Sequence, residues 1–302
     1  MPEHAQHAPA DGPLVEPEDL AAALDHCDVH AQPVVIDVRW ALGRGVAGNR
    51  AEYEAGHVPG AAFVDLETAL AGPPRDSGVG GRHPLPRLHT ATEALRRAGV
   101  STDRPVVAYD GATSLSAARA WWVLQYFGKA NVRVLNGGYP AWCSAGLRTE
   151  SGPGGDPKDG DVVLRPGGRE APTADDLTAY LDAPGGRVID ARAPERYRGE
   201  VEPMDPVAGH IPGAVNIPTL SALAANGRFD PQGLQMLLSQ QGVNPHAPTA
   251  VYCGSGVQAA HLALALEVAD PHRRPPAVYV GSWSDWVSDE QRPVATGSAP
   301  HG

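Results

Sequence analysis

The chain repeats itself. "VVIDVRW" at 34–40 returns as "RVIDARA" at 187–193, "GHVPGAAFVD" at 56–65 returns as "GHIPGAVNIP" at 209–218, and both pairs lie 153 residues apart. One spacing shared by two unlike motifs marks a duplicated structural unit. Further along, "VVAYDGATSLSAARAWW" (106–122) answers "TAVYCGSGVQAAHLA" (249–263), and "VLNGGYPAW" (134–142) answers "VYVGSWSDW" (278–286). A chain of 302 residues is long enough for two domains, each with its own core. The copies are expected at 18–148 and 170–296. Between them, 149–169 is expected to be a linker crossing the surface, because the surrounding stretch "GLRTESGPGGDPKDGDVVLRPGGREAP" is dense in Gly, Pro and charge.

Within each copy, short β-branched runs ("VVID", "PVVAY", "RVID", "TAVY") alternate with Ala/Leu-rich helical stretches such as "ATEALRRAG" and "AAHLALALEVA". That alternation predicts an α/β fold. Continuous apolar strands of this length suit a mostly parallel sheet flanked by helices. Such sheets bind ligands at the carboxyl ends of their strands, where a loop runs into a helix N-terminus.

Cys253 sits at that kind of junction, in "VYCGSGVQAAH". Gly254 and Gly256 can take backbone angles closed to other residues, so successive N–H groups can converge on the sulfur. Converging amides and the positive end of a helix dipole stabilise a thiolate, which makes Cys253 the candidate nucleophile. The same cradle would hold a persulfide or an incoming anion. Cys27 and Cys143 have no glycine cradle and are expected to be small buried hydrophobes.

A formal net charge of −11 argues against a nucleic-acid or anionic-membrane partner, either of which would need a basic face. Three cysteines without a CxxC pair fit a reducing compartment, and the start of the chain has neither a basic nor an apolar leader segment, so a cytoplasmic protein is expected. Neither HExxH nor a paired-cysteine spacing occurs, so no metal is expected. Asp37 with Arg39 and Asp190 with Arg192 recur at strand ends in both copies and read as structural ion pairs. His57 and His210 recur likewise and read as scaffold, and Trp283 and Trp286 as packing beside the loop.

The duplicated "GHVPGA" and "GHIPGA" segments, the "IDVR" and "IDAR" strand ends, the loop "CGSGV" and the closing "GSWSDW" resemble tandem-domain rhodanese sulfurtransferases, the thiosulfate and 3-mercaptopyruvate enzymes. The resemblance covers almost the whole chain outside the tails. It implies two tandem rhodanese-like domains and a ping-pong enzyme that needs no cofactor. In this scheme Cys253 takes a sulfur atom from a small anionic donor as a persulfide and passes it to cyanide or to a thiol or thioredoxin-like acceptor. It also implies a catalytically silent first domain, because Asp110 in "YDGATSLSAAR" stands at the cysteine position, where it reads as a loop cap accepting backbone N–H bonds.

By the same resemblance, Arg196 in "ERYRG" contacts the donor anion, together with the loop residues Gly254, Ser255, Gly256, Val257 and Gln258. A guanidinium fork suits thiosulfate or a carboxylate equally. Ser255 could bond the donor or assist proton transfer to a leaving enolate. Relatives in the mercaptopyruvate group usually carry a second arginine where this chain has Met204, in "VEPMDP", which leans the expectation toward thiosulfate. "CGSG" resembles the mercaptopyruvate group and keeps that donor as the alternative. Gln258 stands where the family commonly has Thr, which bears on acceptor choice. A phosphatase of the Cys-x5-Arg type is excluded because Ala259 and Ala260 offer no arginine. The further alternative is a module that binds or senses a sulfur-carrying partner without turnover.

Overall fold

A computed structural model describes residues 12–155 and 159–302. The described chain divides into two compact units. Unit one comprises residues 12–72, 85–169 and 225–228, and unit two comprises 73–84, 170–224 and 229–302.

Unit one is built on five parallel strands, β1 (Leu14–Val15), β2 (Val34–Asp37), β3 (Ala62–Phe63), β4 (Val106–Tyr109) and β5 (Val132–Leu135), in the order β1-β5-β4-β2-β3. Its helices are α1 (Pro17–Leu24), α2 (Gly45–Ala55), α3 (Leu88–Arg97), α4 (Leu115–Tyr126) and α5 (Gly138–Ser144), with a single π turn at Leu66–Leu70. Unit two has four parallel strands, β6 (Arg187–Asp190), β7 (Val215–Asn216), β8 (Thr249–Tyr252) and β9 (Ala277–Val278), in the order β7-β6-β8-β9. Its helices are α6 (Leu177–Asp182), α7 (Pro194–Tyr197), α8 (Pro231–Gln240), α9 (Val257–Ala269) and α10 (Ser282–Trp286), with a 3-10 turn at Thr219–Ala222. The four-stranded order of unit two is that of unit one without its edge strand β1.

The central strands β2, β4 and β8 are buried at all four positions, as a parallel sheet covered on both faces requires. The helices that follow them, α4 and α9, are buried almost all round, at ten of twelve and ten of thirteen positions. A helix apolar on every side belongs inside. Register repeats as well: Asp37 lies opposite Tyr109 and Asp190 opposite Tyr252.

Those repeated polar residues brace the carboxyl edge of each sheet. Arg39 bonds Asp37 through Nε at 3.0 Å and Nη2 at 2.7 Å, and Arg192 bonds Asp190 through Nε at 3.0 Å and Nη2 at 2.6 Å. Tyr109 and Tyr252 accept the N–H of Val58 and Ile211 at 3.0 and 3.1 Å. His57 stacks on Tyr53 and His210 on Tyr197, with ring centroids 4.1 and 3.8 Å apart. The ion pairs and histidines are therefore scaffold in both copies. Losing one member of such a buried pair would leave an uncompensated charge, at a cost of about 3–5 kcal/mol.

Two expectations are corrected. The described residues of 149–169, namely 149–155 and 159–169, belong to unit one: Glu150 pairs with His57 as an antiparallel bridge, Val162 donates to Val100 O at 3.2 Å and Arg165 to Phe127 O at 2.9 Å. Val162 and Leu164 are buried, so apolar anchors within the Gly/Pro-rich stretch hold it against the domain. Cys27 and Cys143 are exposed rather than buried, because Cys27 lies beyond the end of α1 and Cys143 on the outer face of α5. Among the described residues no helix is long and apolar enough to cross a membrane.

Candidate active site

Cys253 follows β8 directly and is buried at 2% exposure. The chain then turns through Gly256, whose φ of +87° lies in the left-handed region that glycine alone enters freely, and α9 begins. Gly256 N–H points at Cys253 Sγ at 3.1 Å. From the other side, α10 holds the loop: Trp283 and Ser284 N–H donate to the carbonyls of Cys253 and Gly254 at 2.9 and 3.1 Å. Ser282 Oγ accepts the Cys253 N–H at 3.1 Å, donates to Tyr279 O at 2.9 Å and lies 4.0 Å from Sγ. A sulfur at the head of a thirteen-residue helix, facing the Gly256 amide, lies at the positive end of the helix dipole.

The matching loop of unit one is filled by its own side chain. The Asp110 carboxylate accepts the N–H of Ala112, Ser114 and Ser116 at 3.0 Å each, that of Ala117 at 3.2 Å, and the Ser116 hydroxyl at 3.0 Å. Ser114, at φ +63°, caps α4 as Gly256 caps α9. A carboxylate reaches one bond farther from the backbone than a thiol.

The second wall of the site comes from the 73–84 segment. Gly80 N–H donates to Asp285 Oδ1 at 2.7 Å and Arg82 N–H to Ser284 Oγ at 3.1 Å. Between them, Gly81 has φ +77°, and a Cβ there would stand 2.2 Å from Gly281 O, so only glycine passes. This seating brings His83 Nδ1 to 2.8 Å from Ser255 Oγ, in a hydrogen bond whose direction follows the ring's tautomer.

Arg196 lies on α7, a four-residue helix opened by Pro194, whose fixed φ suits the first helical position. Its Nε bonds Glu202 Oε2 at 3.1 Å; its Nη2 bonds Glu202 Oε1 at 2.6 Å and Asp205 Oδ2 at 3.4 Å. Glu202 also accepts Arg192 Nη1 at 3.3 Å, and Asp205 pairs with Arg82. Alternating charges thus run from Asp190 through Arg192, Glu202, Arg196 and Asp205 to Arg82. Burial pushes the Asp205 carboxyl above the ordinary range, against the pull of Arg82.

Of the expected site residues, the fold brings together Cys253, Gly254, Ser255, Gly256 and Arg196. Val257 is buried as the first residue of α9, which leaves only its backbone to the loop. Gln258 accepts from the Thr219 hydroxyl through its carbonyl at 3.3 Å, and its side-chain amide has no partner among the described residues. Met204 is 43% exposed. Arg82 and His83 were not anticipated. A signal for them does exist: corresponding strands are 153 residues apart at β2 and β6 but 143 apart at β4 and β8. The first copy therefore carries ten residues more, within the stretch that holds 73–84.

A family model described as a rhodanese-like domain matches residues 16–145 and again 173–289. The chain is 45% identical over 291 residues to SseB of Mycobacterium tuberculosis, which carries a thiosulfate sulfurtransferase name; the match covers 95% of this chain and 98% of the relative. It is 42% identical over 290 residues to a Pseudomonas aeruginosa protein with a 3-mercaptopyruvate sulfurtransferase name, covering 94% and 98%. The solved structure of SseA from Escherichia coli, a 3-mercaptopyruvate enzyme, superimposes with a TM-score of 0.74 at 32% identity, covering 90% of this chain and 99% of that one. The chain belongs to the rhodanese family and is a sulfurtransferase, with a sulfur donor and an acceptor as its substrates.

Proposed function

We propose that Cys253 is the nucleophile, that it carries the transferred sulfur as a persulfide, and that 3-mercaptopyruvate is the donor. The hydrogen bond between His83 Nδ1 and Ser255 Oγ, 2.8 Å long and inside the cysteine loop, carries the choice of donor. Sulfite leaves thiosulfate as a stable anion and needs no proton. The carbon left when mercaptopyruvate gives up its sulfur is an enolate, and it does need one.

The Cys253 thiolate attacks the donor sulfur, forming the S–S bond as the C–S bond breaks and its electron pair goes to the enolate. The proton of the donor thiol passes through the Ser255 hydroxyl, oriented by His83, to the enolate, which leaves as pyruvate. The outer sulfur then rests as an anion near the first-turn amides of α9. An acceptor nucleophile, cyanide in the assay and a thiol or thioredoxin-like protein in the cell, attacks that sulfur and returns the Cys253 thiolate. Asp110 can form no persulfide, which supports a silent first copy. The three free thiols support a cytoplasmic setting.

Thiosulfate is the second reading, favoured by the name of the 45% identical relative. The test is thiocyanate formation from each donor by the wild type, Cys253→Ser and Ser255→Ala, with intact mass after donor alone. Loss of turnover and of a one-sulfur mass gain in Cys253→Ser is expected. A wild type that uses thiosulfate far better than mercaptopyruvate would overturn the donor assignment.

A further inference from the structure

We propose that Arg82 is a donor-binding residue, its guanidinium joining that of Arg196 in a single anion fork at Gly254. This deepens the reading above and rests on it.

The geometry comes from three facts. A Cβ on Gly254 would lie 3.0 Å from Arg82 Nη2 and 3.4 Å from Arg196 Nη1, so the missing side chain is what lets two guanidinium edges close on the loop next to the nucleophile. Both groups are held from behind: Arg82 uses Nη1 on Asp205, and Arg196 uses Nε and Nη2 on Glu202 and Asp205. That leaves Arg82 Nε and Nη2 and Arg196 Nη1 without a partner among the described residues. Finally, the acids are hidden and the cations are not. Glu202 and Asp205 side chains are 3% and 4% exposed, against 29% for Arg82 and 17% for Arg196, so the face open to a ligand is cationic although the cluster is nearly neutral. Converging guanidinium edges fit a carboxylate or a sulfonate-like group, each N–H meeting an oxygen.

Arg82 lies on the segment whose seating is fixed by Gly80, Gly81 and the Ser284 hydroxyl, so its side chain is aimed and not merely nearby. The exposed Met204 then needs no cationic role. The second guanidinium comes from the first repeat.

The test pairs kinetics with a measurement that does not depend on sulfur transfer. Wild type, Arg82→Gln and Arg82→Lys are assayed for KM and kcat with mercaptopyruvate and thiosulfate and for KM of cyanide. In parallel, alkylation of Cys253 by iodoacetate and by neutral iodoacetamide is followed by peptide mass, which separates it from the exposed Cys27 and Cys143. Donor KM in Arg82→Gln should rise about 10- to 100-fold, the factor for losing a charge-assisted hydrogen bond, with cyanide KM unmoved. The ratio of iodoacetate to iodoacetamide rates should fall in the same variant. Arg82→Lys, which keeps a cation for Asp205 but lacks the fork, should fall between and serves if the glutamine variant does not fold. An unchanged ratio and donor KM in both variants overturns the proposal. A wild type without sulfur transfer overturns the underlying reading instead, while a fallen ratio would still support the anion fork.

Discussion

Arg192 donates to Glu202 at 3.3 Å, and this contact ties the scaffold of unit two to its candidate site. In unit one the equivalent arginine, Arg39, turns its Nη1 to a backbone carbonyl, that of Glu52, at 2.8 Å. A carboxylate has taken the carbonyl's place in unit two, and both its oxygens also hold Arg196. Glu202→Gln should therefore be felt twice. It should lower unfolding free energy by about 1–3 kcal/mol, because Arg192 and Arg196 lose a shared buried carboxylate while keeping Asp190 and Asp205. It should also raise donor KM as Arg196 loses its aim; denaturant unfolding and steady-state kinetics on one preparation check both.

Asp110 gives a prediction of the opposite kind. Its carboxylate satisfies four backbone amides that would otherwise lie unpaired at the head of α4. Asp110→Ala should destabilise the protein by about 2–3 kcal/mol. Sulfur transfer per folded molecule should be unchanged. Asp110→Asn should recover only part of the stability, since its NH2 group faces donors.

Gly81→Ala probes the seating of the 73–84 segment. The added methyl would meet Gly281 O at 2.2 Å, and φ +77° is disfavoured for alanine, together costing about 1 kcal/mol or more. The segment should shift, carrying Arg82 and His83 with it. Donor kcat/KM should drop while far-UV circular dichroism stays native. Full activity would mean that the segment is not needed where it lies.

Ser255→Ala should separate the two donors. Removing the hydroxyl takes away the proton route, so kcat with mercaptopyruvate should fall roughly 100-fold, the scale of general acid catalysis. Turnover with thiosulfate should change little. An equal loss with both donors would assign Ser255 to binding.

Much of this molecule was legible in its sequence because the signals are local or repeated. VVID, VVAY, RVID and TAVY are strands as expected, since short runs rich in buried β-branched and aromatic residues have few other uses. The loop that carries Cys253 was legible for a similar reason: the glycine that caps α9 stands three residues after the cysteine. Arg82 and His83 were not, because a side chain's destination across the sequence depends on where its loop lands, and nothing local in "GVGGRHPLP" states that. Their role rests on contacts to Asp205, 123 positions away, and to Ser255, 172 away. The linker failed for a related reason. Gly and Pro in 149–169 signalled an irregular path, but Val162 and Leu164 decide where the described part of it is pinned.

The membership of 73–84 in unit two changes what the duplication means. Two copies of a domain ordinarily leave one free to decay or be lost. Here the half with Asp110 at the cysteine position encodes the arginine and histidine that lie beside the loop of Cys253. A chain cut to its second repeat would keep Cys253 and lose Arg82 and His83, so the two repeats cannot be separated without dismantling the cysteine's surroundings.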